Sequence, residues 1–382
     1  MQNFTFHNPT MVKFGKGSIA KLSKMLSPQD KILMLYGGGS IKKNGVYQQV
    51  IDATDSMDIV EFGGIEANPE YSTLMRAVEL AREEEITFIL AVGGGSVIDG
   101  AKFVAAAFPY RGDAWEILNG GRIQSAIPMG CILTLPATGS ETNTGAVVNR
   151  SEHKLKKAFA SPKVQPQFAI LDPEVTYSLP TRQLINGVID PFVHVIEQYL
   201  TYPTGASVQE RFAESILINL IDIGKEAIAN TEYNIRANLM WNATQAMNGL
   251  IGAGVPQDWS THMIGHELTA AYGLDHAATL AIVLPRLMNA KRAEKHRKLL
   301  QYAQRVWNID TADEEAAIDE AIAKTEDFFR DLGMKTRLQE YDIDADAAEV
   351  VKQGLITNGF LKLGERQDIT PDDAAQIITA SV

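Results

Sequence analysis

The chain has 382 residues, of which 45% are hydrophobic and 21% charged, as in ordinary soluble globular proteins. A formal net charge of -12 without a long basic run argues against nucleic acid or an anionic membrane as a partner. Cys131 is the only cysteine, which excludes a disulfide framework and a thiolate metal cluster. Neither a signal peptide nor an apolar run of membrane-spanning length is recognisable, so we expect a cytoplasmic protein.

The first half of the chain alternates strand-like and helix-like segments. Strands are predicted at 31–36, 58–62, 87–92, 130–135 and 168–171. A helix is predicted at about 46–53, a second one with Asn68 and Pro69 as its N-cap and first residue, and a third after Ser96. Repeated β-α-β order with apolar strands predicts a parallel sheet that is covered on both faces.

From about Leu179 onward, strand patterns disappear and amphipathic helical patterns take over. Helices are predicted at 181–200, 206–228, 234–249, 257–272, 277–290, 293–306, 313–332 and 346–357. The chain is therefore predicted to form a Rossmann-like α/β domain over 1–179 and an all-α domain over 180–382. No low-complexity linker separates them, so we expect close packing and a ligand cleft at their interface.

Two glycine-rich loops follow predicted strands. Gly93-Gly94-Gly95-Ser96 lies between a strand and a helix, where a close-approaching backbone and a helix N-terminus can cradle a pyrophosphate. The glycine spacing is not that of the common G-x-G-x-x-G dinucleotide fingerprint. The alternative interpretation is a strand-to-helix turn that binds no ligand. Asp99 should repel a phosphate, so it is expected to bind a sugar hydroxyl or to orient the loop.

The second loop is Gly37-Gly38-Gly39-Ser40. No acidic residue occurs from 31 to 51, and Ser40, Lys42 and Lys43 offer donors and positive charge, which favours NADP(H) over NAD(H). The alternative is that both lysines are merely solvated. A third segment, 135–142, is rich in hydroxyl groups that could donate to the cofactor, although a plain turn is equally compatible with it.

Four of the seven histidines lie in two short segments. Asp190 and His194 are spaced i, i+4 and should share one helical face, with Pro191 in the first turn of that helix. His262 and His266 have the same spacing.

The remaining histidine of this group, His276, lies beyond a predicted helix end. Gly273 should end the preceding helix and Asp275 should cap the next, so that the chain returns His276 towards His262. Imidazole and carboxylate ligands without sulfur suit zinc or ferrous iron. The alternative is a set of unrelated core and surface histidines.

Several longer motifs resemble one protein family over nearly the full length. They are FGKGSIAKL at 14–22, YGGGSIKKNGV at 36–46, FGGIEANP at 62–69, AVGGGSVIDGAK at 91–102, LTLPATGSET at 133–142, NGVIDPFVHVIEQY at 186–199 and GAGVPQDWSTHMIGHEL at 252–268. The chain thereby resembles the group III metal-dependent, iron-containing alcohol dehydrogenases, and within them the NADPH-dependent aldehyde reductase and butanol dehydrogenase branch. The last two motifs are specific, whereas the glycine loops also resemble glycerol dehydrogenase and dehydroquinate synthase.

The resemblance implies a dinucleotide-binding domain, a metal-binding and substrate domain, and a role for each matched residue. The implied metal ligands are Asp190, His194, His262 and His276, while His266 is a non-ligand histidine near the nicotinamide and a candidate catalytic proton relay. The implied cofactor contacts are Gly38, Gly39, Ser40, Asn68, Gly94, Gly95, Ser96, Asp99, Thr138 and Lys156.

The implied activity is reversible, NADPH-dependent reduction of aldehydes to primary alcohols, with iron or zinc as Lewis acid and a homodimer as the expected assembly. A polyol dehydrogenase or a metal-dependent lyase on the same fold is the alternative enzyme. A non-catalytic nucleotide- or metal-binding protein is the alternative from another functional class.

Overall fold

The computed structural model describes all 382 residues. Its internal contacts divide the chain into an α/β unit, His7–Pro180 with Thr231–Thr244, and a helical unit, Met1–Phe6 with Thr181–Asn230 and Gln245–Val382. Met1–Phe6 thus belongs to the helical unit and Thr231–Thr244 to the α/β unit, although each lies in the opposite half of the sequence. No sequence pattern indicated this exchange. The predicted domains 1–179 and 180–382 stay predictions.

The α/β unit is built on a six-stranded sheet. The strands of the chain are β1 Met11–Phe14, β2 Lys31–Tyr36, β3 Asp58–Phe62, β4 Phe88–Gly94, β5 Met129–Leu135, β6 Gly145–Arg150, β7 Leu155–Ala160 and β8 Phe168–Leu171. The sheet has the order β1-β8-β5-β4-β2-β3, and every neighbouring pair is parallel, which confirms the predicted parallel sheet. Four central strands are almost wholly buried, which explains their continuous apolar sequences.

This strand order places the predicted cofactor segments beside one another. Strands β5, β4 and β2 are consecutive neighbours in the sheet, and parallel strands end at the same edge. The segments that follow them are 136–142, the loop at Gly95 and the loop at Gly38. Three stretches that are far apart in sequence therefore meet at the carboxyl edge of the sheet, where α/β proteins bind their ligands.

Three strands were not predicted from the sequence. The edge strand β1 is short and mostly exposed, so it lacks a continuous apolar pattern. Strands β6 and β7 form a separate antiparallel hairpin, and β7 contains two consecutive lysines. Lys156 accordingly lies in a regular strand, opposite Asn149.

The helices follow the predicted amphipathic segments. They are α1 Ser40–Lys43, α2 Val46–Ala53, α3 Tyr71–Glu83, α4 Gly95–Ala107, α5 Thr181–Tyr199, α6 Ser207–Ala229, α7 Tyr233–Met247, α8 Ser260–Tyr272, α9 His276–Ala290, α10 Arg292–Arg305, α11 Glu314–Asp331, α12 Ala347–Thr357 and α13 Pro371–Thr379. Helices α1 and α13 were not predicted. None of these helices is both long and apolar enough to cross a lipid bilayer.

One predicted helix start and the predicted position of Pro191 were wrong. Helix α3 begins at Tyr71 rather than at Pro69, because the carbonyl of Pro69 accepts a hydrogen bond from the Asn149 amide and Glu70 forms a β-bridge with Asn149. Pro191 lies in the middle of α5 rather than in its first turn. Helix α5 continues on both sides of Pro191 with a buried apolar face, although proline provides no N–H group for a helical hydrogen bond.

Candidate functional site

The four side chains predicted to bind a metal lie close together in the helical unit. Asp190 and His194 lie on α5, His262 lies on α8, and His276 is the first residue of α9. The Nε2 atoms of His194, His262 and His276 lie 3.3, 3.7 and 3.7 Å from Oδ1 of Asp190. Three imidazole nitrogens thus surround one carboxylate oxygen.

A helix end that was predicted from the sequence brings His276 to this point. Gly273 adopts a left-handed conformation with φ of 69° and ends α8, and its N–H group donates to the Thr269 carbonyl. Asp275 occupies the N-cap position of α9 but makes no side-chain capping hydrogen bond, and its carboxylate lies 3.3 Å from Nε of Arg182. The turn is as expected, whereas the role of Asp275 as a side-chain cap was wrong.

The cluster fits a divalent metal ion by distance and by chemistry. A tetrahedral ion with bonds of about 2.1 Å holds its ligand atoms roughly 3.4 Å apart. The measured distances to Asp190 bracket that value, and the ligand atoms of Asp190, His194 and His262 lie within 4.8 Å of one another. Asp190 Oδ1 and His262 Nε2 are buried without a hydrogen-bond partner, which is costly unless a ligand compensates.

The glycine loop after β4 packs closely against the segment that follows β5. Gly94 is the last residue of β4 and Gly95 the first of α4, and no side chain caps the helix. A methyl group on Gly95 would overlap the Thr138 side chain, so only glycine lets the helix begin here. An uncapped helix N-terminus approached by small residues has the geometry of a phosphate site.

Other predicted cofactor residues border this loop. The Ser96 hydroxyl donates to the carbonyl of Ala67, which holds the start of α4 against the segment before α3. Next in that segment is Asn68, whose Oδ1 accepts a hydrogen bond from Lys156 Nζ at 3.2 Å. Three residues assigned to the cofactor by family resemblance are thus linked within one unit, although their cofactor contacts remain a prediction.

Two family models match most of the chain. The model "Iron-containing alcohol dehydrogenase" matches residues 9–173, and "Fe-containing alcohol dehydrogenase family, C-terminal" matches residues 184–382. The chain belongs to the iron-containing alcohol dehydrogenase family. The suspected family is therefore confirmed.

Similar members of the iron-containing alcohol dehydrogenase family cover the whole chain. The NADPH-dependent aldehyde reductase YqhD of Escherichia coli is 56% identical over 100% of both chains, and its crystal structure superposes with a TM-score of 0.99, covering 100% of this chain and 99% of YqhD. The probable NADH-dependent butanol dehydrogenase 1 of Bacillus subtilis is 39% identical over 100% of both chains. NADH-dependent butanol dehydrogenase A from Thermotoga maritima is 32% identical in sequence. Its structure superposes over 100% of this chain and 99% of that chain, with a TM-score of 0.96.

Within this iron-containing alcohol dehydrogenase, Asp99 orients the loop at Ser140. Its carboxylate accepts hydrogen bonds from the Ser140 hydroxyl at 2.5 Å and from the Val147 amide at 2.9 Å. These bonds hold the segment after β5, whereas the predicted role of Asp99 in orienting the glycine loop at 93–96 stays a prediction. A direct sugar contact stays a prediction.

Lys102, for which the sequence pattern indicated no role, is completely buried beneath the same loop. Its ammonium donates to the Ser140 hydroxyl, the Asn143 side chain and the Gly145 carbonyl at 2.7 to 2.9 Å. Burial lowers the pKa of Lys102 to about 8, against the opposing attraction of Asp99. Lys102 therefore joins the segment after β5 to the β6–β7 hairpin through a buried polar network.

The loop at Gly38 has a carboxylate nearby that the local sequence did not reveal. Glu61, on the neighbouring strand β3, accepts hydrogen bonds from Tyr36 at 3.0 Å, Tyr47 at 2.5 Å and Lys42 at 3.1 Å. Lys42 thus pairs with Glu61 instead of being merely solvated, and its part in a 2′-phosphate site stays a prediction. Ser40 is exposed at the start of α1, with Gly39 in a left-handed conformation before it.

The metal cluster has an unequal distribution of charge. Burial tends to raise the pKa of Asp190, but His194 and His262 outweigh it and hold that pKa well below its usual range. Burial lowers the pKa of His194 to about 4. Burial also acts to lower the pKa of His262, but the Glu197 and Asp190 carboxylates raise it to about 9. The two carboxylates thus outweigh burial at His262, whereas burial dominates at His194.

His266 and Trp259 border the cluster without joining the ligand atoms. The His266 ring centroid lies 6.3 Å from that of His262 and 5.3 Å from that of His276. Trp259 has a left-handed backbone with φ of 63°, which is strained for a bulky residue, and its ring meets those of His194 and His262 edge-on. The assignment of His266 as a non-ligand proton relay stays a prediction.

Glu197 is a further residue of this site that the sequence analysis missed. It follows Asp190 by seven positions on α5, so it shares the face of Asp190 and His194. Its side chain is buried and contacts His262. The i, i+4, i+7 spacing was readable from the sequence, but its partner on another helix was not.

We expect Gly95→Ala to weaken binding of a reduced nicotinamide dinucleotide roughly 10- to 100-fold, because the added methyl group displaces Thr138 at about 1–3 kcal/mol. Fluorescence titration of the purified protein measures the dissociation constant. Gly145→Ala is the matched control, since the atom nearest to its added methyl group is Asn143 Oδ1 at 3.7 Å. Equal dissociation constants for the two variants would contradict the assigned loop.

Proposed function

We propose that this chain catalyses the reversible reduction of aldehydes to primary alcohols with NADPH and a divalent metal. The observation that carries the proposal is the convergence of His194, His262 and His276 on Asp190 within a buried cluster. Similarity to an NADPH-dependent aldehyde reductase and to butanol dehydrogenases supports the reaction class.

Asp190, His194, His262 and His276 would hold the metal, which we propose to be iron or zinc. When bound, the metal supplies a Lewis acid for the carbonyl oxygen, and NADPH supplies the hydride. The buried position of three of these four side chains keeps water away from the ligand atoms and fixes their directions. His276, with a 26% exposed side chain, borders the open side of the cluster.

The α/β unit would bind NADPH along the carboxyl edge of its sheet. Gly94, Gly95 and Ser96, at the start of α4, would bind the pyrophosphate through backbone N–H groups and the helix dipole. Thr138, Asn68, Asp99 and Lys156 would complete the pocket around this loop. Gly38, Gly39 and Ser40 would bind the adenosine end, where the exposed Ser40 hydroxyl is a donor for a 2′-phosphate.

Reduction of an aldehyde also consumes one proton. The His266 ring lies beside those of His262 and His276, with centroids 6.3 and 5.3 Å away, so its imidazole is close enough to the cluster to serve as a proton donor. We propose that His266 delivers the proton to the product oxygen. In the oxidation direction the same nitrogen would accept it.

A second copy of the chain is the proposed partner. Edge strand β1 pairs with β8 on one side only, and Met11 and Phe14 on it are 55% and 42% exposed. Phe14 stacks edge-on with Trp241, which is 43% exposed. An exposed apolar edge strand favours pairing with another chain, and a homodimer would cover it.

Purified protein loaded with metal should oxidise NADPH faster than NADH when butanal is added, because the Gly38–Ser40 loop carries no acid of its own. Absorbance at the nicotinamide band follows the reaction. Treatment with a chelator should abolish it and returning zinc or ferrous iron should restore it. Full activity in the chelated protein would contradict the metal's role, and NADPH binding without turnover on an aldehyde panel would favour a non-catalytic binder.

His262→Ala and His266→Ala should separate metal binding from proton transfer. The first variant should lose bound metal, whereas the second should keep it and lose turnover roughly 100-fold or more, the size expected for a general acid. Metal content by atomic emission and kcat with butanal are measured on both. The assignment fails if His266→Ala loses the metal while His262→Ala retains it.

Substituting both Met11 and Phe14 by lysine should convert the expected dimer into a monomer in sedimentation velocity, because charge on an edge strand opposes pairing. Ile356→Lys, at a 42% exposed position on α12, is the control and should stay dimeric. A wild-type chain that sediments as a monomer would rule out this assembly.

A further inference from the structure

Helix α8, which carries His262 and His266, begins without a capping side chain of its own. Its N-cap residue is Trp259, which makes no capping hydrogen bond. The first N–H groups of a helix need acceptors from elsewhere, particularly when they are buried. Asp258 supplies one, because its Oδ1 accepts from the Ser260 amide at 3.0 Å.

The second acceptor comes from another helix. Glu197 on α5 accepts a hydrogen bond from the Thr261 amide at 2.5 Å through Oε1, and its backbone carbonyl accepts from the Asp258 amide at 2.9 Å. A carboxylate at this position also interacts favourably with the positive end of the helix dipole. Glu197 therefore fixes the start of α8 from outside that helix.

The other carboxylate oxygen of Glu197 contacts Nδ1 of His262. A carboxylate accepts but cannot donate, so this nitrogen carries a proton, and in the neutral imidazole that a metal requires the lone pair then lies on Nε2. Nε2 is the nitrogen that faces Asp190 Oδ1, at 3.7 Å. The pairing of Glu197 with His262 thus selects both the tautomer and the direction of the imidazole.

His194 depends on the same contact indirectly. Its Nδ1 is buried without a hydrogen-bond partner, so no carboxylate orients this ring from the side opposite Asp190. Instead, the ring stacks on that of His262, with centroids 4.7 Å apart and an interplanar angle of 12°. A displacement of His262 would therefore move His194 as well.

We propose that Glu197 is a positioning residue that sets metal affinity by holding His262 in the Nδ1-protonated tautomer with Nε2 directed at the metal. This inference rests on the proposed metal site and goes beyond it, because Glu197 itself provides no ligand atom. Carboxylates that accept from metal-bound histidines strengthen the site, and their loss typically weakens metal binding about 10- to 100-fold.

Glu197→Gln separates this role from helix capping. The carboxamide has one acceptor oxygen and one donor nitrogen, so it can serve the Thr261 amide or His262 Nδ1–H, but not both. If its oxygen keeps Thr261, its NH₂ group faces Nδ1 and favours the tautomer in which Nε2 is protonated and cannot bind a metal. The helix cap survives while the metal ligand is lost.

The experiment measures the zinc dissociation constant of the full-length chain by competition with a fluorescent chelator. Glu214→Gln is the control, because Glu214 is equally buried in the same unit but bonds to Tyr199 and Arg305. We expect Glu197→Gln to bind zinc about 10- to 100-fold more weakly and Glu214→Gln to stay within threefold of wild type. Zinc affinity of Glu197→Gln within threefold of wild type overturns the inference and leaves only a capping role.

Failure of the metal site itself gives a different result, since the wild-type chain would then bind neither zinc nor ferrous iron. If Glu197→Gln does not fold, the zinc-loaded wild-type chain still tests the inference. Nitrogen NMR of labelled histidine, assigned with His262→Gln, should show a protonated Nδ1 on His262. A proton on Nε2 of that residue would overturn the assignment.

Discussion

The Asp190 carboxylate is buried in the helical unit, where an uncompensated charge is costly. Three imidazoles from three helices surround its Oδ1 atom, and that requirement determines where α5, α8 and α9 must meet. The Oδ1 atom of Asp190 and the Nε2 atom of His262, which face each other, are both buried without a hydrogen-bond partner. A divalent cation would satisfy both and couple metal binding to the stability of this unit.

The start of α8 shows how the fold maintains such a cluster. Trp259 adopts a left-handed conformation that costs on the order of 1–3 kcal/mol and offers no cap. Asp258 and Glu197 provide the missing acceptors, and buried Lys295 in turn pairs with Asp258 at 2.7 Å and with Glu365 at 2.9 Å. The strained turn directs the Trp259 ring against His194 and His262 and is held by bonds from outside α8.

The proposed cofactor site of the α/β unit has a different requirement, because backbone N–H groups must approach an anion in a chain with a net charge of -12. The parallel sheet aligns three loops at one edge, and Gly95 allows α4 to begin against Thr138. Lys102 donates three hydrogen bonds to the residues that follow Thr138, at Ser140, Asn143 and Gly145. Its ammonium group therefore binds protein groups and not a ligand. Backbone geometry, not surface basicity, makes this edge suitable for a pyrophosphate.

The sequence alone determined the fold class and the family, because buried parallel strands read as apolar runs and the metal-site motifs are local in sequence. The i, i+4 pairs and the turn at Gly273 also follow from helix geometry, which has a fixed period. Pairings between distant segments were decided by the tertiary structure. Glu61 beside Lys42, Lys102 beneath the Ser140 loop and Glu197 against His262 each join residues whose separation in sequence carries no signal. The same holds for the extended chain at Pro69 and for the exposed strand β1, since both depend on a neighbouring strand rather than on their own residues.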